Sequence, residues 1–294
     1  MRIFALELNN ELKGIPARKQ YIESLVAQLP DPDLVLLPEL AVCSYMASRE
    51  IWQYADRNGR DTAQWAMALA EKYHTCMGVG YLDYENGDYY NRYLIADGAR
   101  VFGAVSKSEG ESAVFKRGRF DPIIKTPFGN VAVGICYDAK RKHFYDRVKD
   151  EALALIVFPH GCPADPKTPE REVAANDYFC GLYQQAFGVP VVYVNSVGPL
   201  EYMPGMMGRL MARAGFCMNG RSKLYHQGGR ELSCGPAEAV GLEITPVPGK
   251  LSRPIPFYGD DLLKGNRLFR LLVLQPDTRW GLRLYKKRVS PPAP

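Results

Sequence analysis

The spacing of hydrophobic and polar positions along the chain predicts alternating strands and helices, and hence an α/β protein. Residues 2–8 predict a first strand, and four continuous apolar runs predict strands that are covered on both faces. These runs lie at 33–37, 76–82, 153–158 and 189–194. Apolar side chains at helical spacing predict helices at 17–29, 61–73, 144–150 and 169–187, with Asp61 as the cap of the second. Late strands are expected at 220–225 and 239–244.

Two further patterns specify how the strands are arranged. The dipeptide Asp97-Gly98 between apolar segments 89–96 and 101–106 predicts a β-hairpin, so at least one sheet is mixed. The runs LVLLPEL (34–40) and LIVFPHG (155–161) are both apolar strands that end at a proline and one polar residue. Each is followed by a helix and another apolar strand. This weak internal repeat predicts two sheets related by a pseudo-twofold axis, with helices outside.

Composition narrows the class of protein. With 294 residues, 47% of them hydrophobic and 23% charged, the chain can form one domain of two similar halves. The net charge of +5 is spread without a long basic run, which predicts no nucleic-acid partner. No apolar stretch reaches the roughly 18 residues of a membrane span, and the N-terminal segment does not resemble a signal peptide. Seven cysteines without a C-x-x-C pair argue against a disulfide framework and a zinc site, and favour a reducing cytoplasm.

The candidate chemistry centres on one cysteine. Residues 130–138 (NVAVGICYD) predict a buried strand that carries Cys136 to its carboxyl end, where α/β sheets place their active sites. A cysteine in this position is also common as an inert small hydrophobe, so other residues have to support a catalytic role.

Three charged residues are candidates for that support. Glu39 ends the strand 33–37, Lys107 ends the strand 101–106, and Glu111 follows on the next loop. Taken singly, Glu39 could be a helix cap or turn acid, and the other two could be solvated. Together they suit a thiol nucleophile, because a desolvated carboxylate can take its proton and a lysine can stabilise an oxyanion. None of the four histidines is an evident candidate for the base that takes the thiol proton.

These residues carry a resemblance to a known family. LLPELAVCSY around Glu39, VSK ending at Lys107 and GICYD around Cys136 resemble the three signature blocks of the nitrilase, or carbon-nitrogen hydrolase, superfamily, in the same order. The resemblance implies a Glu39-Lys107-Cys136 triad and a second glutamate, Glu111, that positions the lysine and the substrate. Later segments also match structural blocks, at Val194-Asn195 with Gly198 and at Gly220-x-Ser222, so the resemblance extends to about residue 245.

The resemblance also implies a fold and a domain organisation. We expect a four-layer α-β-β-α sandwich with two mixed sheets related by a pseudo-twofold, formed by residues 1–250. Residues 251–294, with several prolines, the basic segment LRLYKKR and the terminal SPPAP, are expected to form an arm that packs on a neighbouring subunit. The alternative for this segment is a disordered tail.

The activity implied is that of a thiol hydrolase that cleaves a non-peptide C–N bond in a small amide or N-carbamoyl compound. Nitrile hydrolysis by the same triad, and a non-catalytic metabolite-binding relative, are the alternatives. The Tyr137-Asp138 pair resembles amide-cleaving branches. We expect Tyr45, Tyr137, Asp138 and His160 to contact the substrate, no metal or organic cofactor to be needed, and the protein to act on a small molecule away from membranes.

A homodimer or larger homo-oligomer is also expected. Helices 143–150 and 169–187 carry apolar residues that a lone monomer would expose, and the resemblance implies pairing through these layers.

Three segments depart from the family pattern. The lysine lies in Ser106-Lys107-Ser108-Glu109 rather than Arg-Lys-x-His, the helix 169–187 lacks Arg-Ala-x-Glu, and AKRKHFYD (139–146) replaces the usual Phe-Pro-Glu. The basic residues 140–143 follow Cys136 directly. They are either a solvated turn or a rim that attracts a substrate bearing a carboxylate or phosphate.

Overall fold

Sixteen strands and seven α-helices form the described part of the chain, residues 1–287 of this computed structural model. In chain order the strands are β1 (Arg2–Leu6), β2 (Leu34–Leu36), β3 (Asp56–Arg57), β4 (Cys76–Glu85), β5 (Asp88–Ala96), β6 (Val101–Ser106), β7 (Ile123–Thr126), β8 (Gly129–Val133), β9 (Leu153–Pro159), β10 (Pro163–Ala164), β11 (Val191–Val194), β12 (Val197–Pro199), β13 (Cys217–Asn219), β14 (Lys223–Tyr225), β15 (Arg230–Leu232) and β16 (Ala239–Glu243). The helices are α1 (Ile15–Val26), α2 (Arg60–Lys72), α3 (Lys142–Val148), α4 (Pro169–Phe187), α5 (Gly205–Ala214), α6 (Arg267–Phe269) and α7 (Gln275–Lys286), with a π-helical segment at Arg270–Leu274.

The strands form two large mixed sheets and one small one. The first has the order β15-β16-β1-β2-β4-β5-β6, with β3 beside β4, and the second has the order β14-β11-β9-β8-β7. Each contains a parallel triplet, β1-β2-β4 in one and β8-β9-β11 in the other. The two repeated runs occupy the middle strand of each triplet, β2 and β9, as the sequence repeat predicts. Strands β10, β13 and β12 form the small third sheet.

Three hydrophobic clusters separate four layers. The cluster between the two large sheets contains Ile3, Leu36 and Tyr93 from one and Val133 and Leu155 from the other. A second cluster packs α1 and α2 on the outer face of the first sheet, and a third packs α3 and α4 on the outer face of the second. Both faces of β2, β4, β9 and β11 are covered by other layers. The residues of these strands can therefore be apolar on both faces, as their continuous apolar sequences indicate. The predicted α-β-β-α sandwich is confirmed.

Several local predictions need correction. The strand predicted at 130–138 ends at Val133, and Cys136 begins a 3₁₀ turn instead. Asp61 lies in the first turn of α2 but is not its cap; Gly59 occupies that position, and the Asp56 carboxylate accepts the N–H groups of Asp61 and Thr62. Helix α5 and the C-terminal helices α6 and α7 were not predicted from the sequence. Within residues 1–287, no helix is both long and apolar enough to cross a membrane.

The C-terminal segment packs against the body of its own chain. Leu262 and Tyr285 are buried, and the Tyr285 hydroxyl accepts the backbone N–H of Tyr89 and bonds the Asp88 carboxylate. A side chain at Gly281 would collide with Ser112, so α7 lies directly on the loop that carries Glu111. Contact with a neighbouring subunit remains a prediction, and residues 288–294, including SPPAP, lie outside the described part.

The expected exposure of the 143–150 and 169–187 helices is wrong in part. In α3 the side chains of Phe144 and Val148 are fully buried against the second sheet, and in α4 the large exposed hydrophobic residue is Tyr178. The exposed large apolar residues are more frequent near the C-terminus, at Leu268, Leu271, Leu272, Trp280 and Leu282. The predicted oligomer therefore loses part of its sequence-based argument but stays a prediction.

Candidate active site

The ends of three strands bring the predicted triad together. Glu39 follows β2, Lys107 follows β6 and Cys136 follows β8. The Lys107 ammonium lies 2.6 Å from a Glu39 oxygen and 3.3 Å from both oxygens of Glu111. Cys136 is close enough for the charges of Glu39 and Lys107 to act on its thiol. Four residues from distant parts of the sequence thus share one site.

A strained turn presents the Cys136 thiol. The residue has φ of 51°, a left-handed conformation that non-glycine residues rarely adopt, and it opens the 3₁₀ turn Cys136–Lys140. Just before it, a side chain at Gly134 would lie 3.0 Å from the Phe158 ring, so the chain passes tightly over β9. The turn ends the strand early and leaves the cysteine partly exposed rather than packed in the core.

Glu39 is a fully enclosed carboxylate whose two oxygens have different partners. One accepts from Lys107 and from the Asn91 side-chain amide at 2.7 Å, and the other accepts from the Gly161 backbone N–H at 2.8 Å. Burial raises the pKa of Glu39, and the Lys107 ammonium opposes that rise. The backbone around Glu39 passes so close to Gly80 that a side chain at Gly80 would lie 2.4 Å from the Pro38 carbonyl oxygen.

Asn91 is a site residue that the sequence analysis missed. It lies on β5, is 1% exposed, and its backbone carbonyl also accepts the N–H of Lys107 at 2.8 Å. It therefore contacts both members of the buried ion pair. A single amide among the buried alternate positions of β5, where the others are Tyr89, Tyr93 and Ile95, is the signal that could have identified it, because such a group is costly to bury without partners.

Lys107 remains an ammonium in spite of its burial. Burial alone would lower the pKa of Lys107, but the negative charges of Glu111, Glu39 and Cys136 raise it well above its ordinary value. Lys107 and Glu39 are 2% and 1% exposed, so their attraction is little screened by water. The ion pair provides a fixed positive charge beside the thiol.

Tyr45 holds the second glutamate in place. Its hydroxyl donates to Glu111 at 2.7 Å, and its ring lies against Gly161, where a side chain would be 2.4 Å away. Burial and the charges of Glu111, Glu39 and Cys136 raise the pKa of Tyr45, which keeps the phenol protonated and able to donate. Tyr45 is 2% exposed, so the structure places it behind Glu111 rather than on an open surface.

Asp138 was expected to contact substrate, and the structure corrects this. The carboxylate has no exposed surface and accepts the backbone N–H groups of Ser108 and Glu109 at 2.9 and 2.7 Å. His143 lies 3.3 Å from one of its oxygens. Asp138 therefore ties the loop that follows Lys107 to the turn that follows Cys136. It faces inward because the 3₁₀ turn rotates it away from the side on which Tyr137 is exposed.

Tyr137 is exposed at the surface beside the site. Its hydroxyl donates to Asp261 at 2.9 Å, and its ring lies 5.6 Å from the guanidinium of Arg141. Its side chain is 42% exposed, so the predicted contact with substrate is sterically open and stays a prediction.

His160 lies inside the protein, which corrects the expectation that it contacts substrate directly. It has no exposed surface, its ring centre lies 4.5 Å from that of Tyr193, and Nδ1 lies 3.0 Å from the Phe158 carbonyl oxygen. Burial and the positive charge of Lys140 lower the pKa of His160 well below its ordinary value. The strand ends at Pro159, and the imidazole lies towards α4, with its ring centre 6.0 Å from that of Phe179.

The basic residues 140–143 do not form a free positive rim, and that hypothesis is wrong. Lys140 lies 3.3 Å from Glu172, and Lys142 lies 3.1 Å from Asp146. Arg141 pairs with Asp261 and lies 3.4 Å from Glu109, and His143 contacts Asp138. Each basic residue has an acidic neighbour, so little net attraction for an acidic substrate remains.

The geometry combines a thiol, a carboxylate with a raised pKa and a buried ammonium within one site. Such a set can deprotonate a nucleophile and stabilise an oxyanion, the two requirements of acyl transfer. Among residues 1–287, no group of three or more histidine, cysteine, aspartate or glutamate side chains is arranged to hold a metal ion.

A family model and a curated relative match this chain. The family model described as Carbon-nitrogen hydrolase matches residues 9–230. A probable nitrilase of Schizosaccharomyces pombe is 30% identical over 126 residues, 40% of this chain and 46% of that protein, so the match spans about half of the relative.

Solved structures show the same fold. A carbon-nitrogen hydrolase from Helicobacter pylori G27 has a TM-score of 0.68 at 18% identity, over 82% of this chain and 88% of that one. An amidase from Nesterenkonia sp. has a TM-score of 0.63 at 16% identity, over 95% and 96% of the two chains.

Proposed function

The chain belongs to the carbon-nitrogen hydrolase family, and from this premise we propose that it hydrolyses a non-peptide C–N bond in a small amide or N-carbamoyl compound. The observation that carries the proposal is the buried Lys107–Glu39 pair, 2.6 Å apart, whose charges act on the thiol of Cys136. An enclosed ion pair costs desolvation energy and adds little net stability, so its position next to a nucleophile favours a catalytic role.

In the proposed first half-reaction, Cys136 attacks the carbonyl carbon while Glu39 takes the thiol proton. The raised pKa of Glu39 suits it to this transfer, because a base is most effective when its pKa approaches the working pH. Lys107 and the backbone N–H of Tyr137 stabilise the tetrahedral oxyanion. Glu39 then protonates the leaving nitrogen, the C–N bond breaks, and ammonia or an amine departs to leave a thioester on Cys136.

In the second half-reaction, water replaces the amine. Glu39 takes a proton from the water as it attacks the thioester carbonyl, and collapse of the second oxyanion releases a carboxylic acid and the Cys136 thiol. Glu111 keeps the ammonium of Lys107 in position through both steps, because its two oxygens both lie 3.3 Å from that group. The cycle needs only the chain's own side chains and water.

The choice between amide and nitrile rests on similarity. The structural neighbours include an amidase, which supports an amide substrate. The relative from Schizosaccharomyces pombe is a probable nitrilase, which makes a nitrile the second candidate for the same triad. All seven cysteines are free, which supports our proposal that the protein works in a reducing compartment such as the cytoplasm.

Ammonia release from a substrate panel tests the proposal. Purified protein is incubated with small amides, N-carbamoyl compounds and nitriles, with Cys136→Ala as the inactive control and Cys76→Ser as the control for a distant cysteine. We expect amides or N-carbamoyl compounds to release ammonia with the parent protein and with Cys76→Ser but not with Cys136→Ala. Release from nitriles alone would favour the second candidate. Release from no compound in a broad panel would favour a non-catalytic, metabolite-binding protein.

A further inference from the structure

A second cysteine lies beside the nucleophile and has no part in the proposed mechanism. Cys162 follows β9, its neighbour Gly161 donates its backbone N–H to Glu39 at 2.8 Å, and Cys162 is close enough to Cys136 to raise the pKa of that thiol. Both cysteines are partly exposed and unpaired. They are 26 positions apart in sequence and meet because β8 and β9 are parallel neighbours whose chains turn at the same edge of the sheet.

The backbone around Cys162 is held firmly. The Asn195 side chain accepts its N–H at 2.9 Å and donates to its carbonyl oxygen at 3.1 Å. The preceding residue, Gly161, donates its N–H to Glu39. The main chain that carries the Cys162 thiol is therefore fixed beside Glu39 and the site.

The surroundings of Cys162 suit a reactive thiol. Its sulfur lies 3.5 Å from a Glu172 oxygen, and the ammonium of Lys140 lies 3.3 Å from the same oxygen. The carboxylate can accept the Cys162 proton, and the adjacent Lys140 ammonium can stabilise the thiolate that results. A partly exposed cysteine next to a base is the type that oxidises selectively.

We propose that Cys162 is a resolving thiol that forms a disulfide with Cys136 when the protein meets a peroxide. Attack of Cys136 sulfur on the peroxide breaks the O–O bond and gives a sulfenic acid and water, with sulfur oxidised and peroxide reduced. Cys162 sulfur then displaces hydroxide from the sulfenic sulfur, its proton completes a second water, and the S–S bond forms. A dithiol reductant reverses the change.

The disulfide would protect the nucleophile. A sulfenic acid without a neighbouring thiol proceeds to sulfinic acid, which ordinary thiols do not reduce. The bond that forms between the two sulfurs has a length of about 2.05 Å. While it is closed, Cys136 has no free thiol, so hydrolysis stops until the bond is reduced.

Mass spectrometry tests the inference without any substrate, so the result does not depend on the proposed function. Reduced protein is treated with about ten equivalents of hydrogen peroxide, its intact mass is measured, and its remaining thiols are then blocked before its peptides are mapped. We expect a loss of about 2 Da and a peptide that joins Cys136 to Cys162, both reversed by dithiothreitol. Cys162→Ser should instead gain about 32 Da on Cys136, and dithiothreitol should remove less than half of this change.

The test includes a matched control variant and one outcome that is measured on the parent protein alone, so it does not depend on whether a variant folds. Cys234→Ser removes a partly exposed thiol at the far hairpin of the first sheet and should behave like the parent protein. If the parent protein itself gains oxygen on Cys136 without forming the joined peptide, the inference is wrong, whatever the variants do. Equal protection of Cys136 in Cys162→Ser would also overturn it.

Discussion

Replacing Asp138 by asparagine separates its structural role from the substrate contact that the sequence suggested. The two carboxylate oxygens accept different backbone N–H groups, from Ser108 and Glu109. Asparagine has the same shape but only one acceptor oxygen, so its NH₂ group must face one of these donors. The variant therefore removes one hydrogen bond and leaves a buried N–H without a partner.

The size of the effect follows from the hydrogen bonds lost. A hydrogen bond to a charged group contributes roughly 1.5–3 kcal/mol, and an unpaired buried N–H costs a similar amount. Asparagine avoids the cost of burying a charge, which offsets part of this loss. We expect the free energy of unfolding to fall by about 2 kcal/mol, about a thirtyfold change in the unfolding equilibrium.

The same change should lower catalysis, because Ser108 is adjacent to Lys107 in the chain. A displacement of about 1 Å in a catalytic group can cost on the order of 100-fold in rate. We expect kcat to fall between about 10-fold and 100-fold while KM changes less than about threefold. Urea unfolding gives the stability, and steady-state ammonia release on the best amide of the panel gives the rate constants.

The matched control is Asp146→Asn, which removes one partner of an exposed ion pair with Lys142. Such pairs contribute about 0–1 kcal/mol, so this variant should unfold close to the parent protein. Equal stability of the two variants would refute the anchoring role. A tenfold rise in KM for Asp138→Asn, with kcat and stability unchanged, would support the original prediction that Asp138 contacts the substrate.

Three further predictions address the ion pair, the buried histidine and the assembly. Lys107→Arg keeps the charge but not the compact ammonium, so kcat should fall on the order of 100-fold or more. The control Lys142→Arg, at an exposed lysine, should have no effect. A fall in kcat below about threefold for Lys107→Arg would contradict the oxyanion role. Burial lowers the pKa of His160, so below about pH 6.5 the unfolded state takes up a proton that the folded state does not. The free energy of unfolding should therefore fall as the pH drops below about 6.5, by at most about 1.4 kcal/mol per pH unit. His160→Asn, which retains a donor for the Phe158 carbonyl, should show a smaller fall in urea unfolding between pH 7.5 and 5.5; an identical fall would rule out His160 as the cause. Light scattering at micromolar concentration should give at least twice the chain mass of 32.9 kDa, and a value equal to that mass would reject the oligomer.

The sequence by itself determined the layers and the order of the elements. Apolar runs with no polar face can be satisfied only between two covering layers, so β2, β4, β9 and β11 were identifiable as interior strands. Helix α4 was predicted with the bounds observed, because proline marks its start and Gly188, in left-handed conformation, marks its end. The four residues of the candidate site were identifiable because carboxylate, ammonium and thiol groups occur at or just beyond strand ends that meet at one edge of the sheets.

Only the tertiary structure decided which way the side chains around that site face. Asp138 and His160 were expected to line the cleft, yet a tight turn and a strand end direct both into the interior. Asn91 and Cys162 were missed because their partners lie on other strands, and a hydrophobic pattern describes only the faces of its own segment. Of the acids that pair with residues 140–143, Asp138 and Asp146 belong to the same segment, whereas the others come from the loop after β6, from α4 and from the C-terminal segment, so the approach of these others depends on packing rather than on local spacing. Periodicity is a local property of the chain, whereas the pairing of buried polar groups depends on which distant segments the fold makes neighbours.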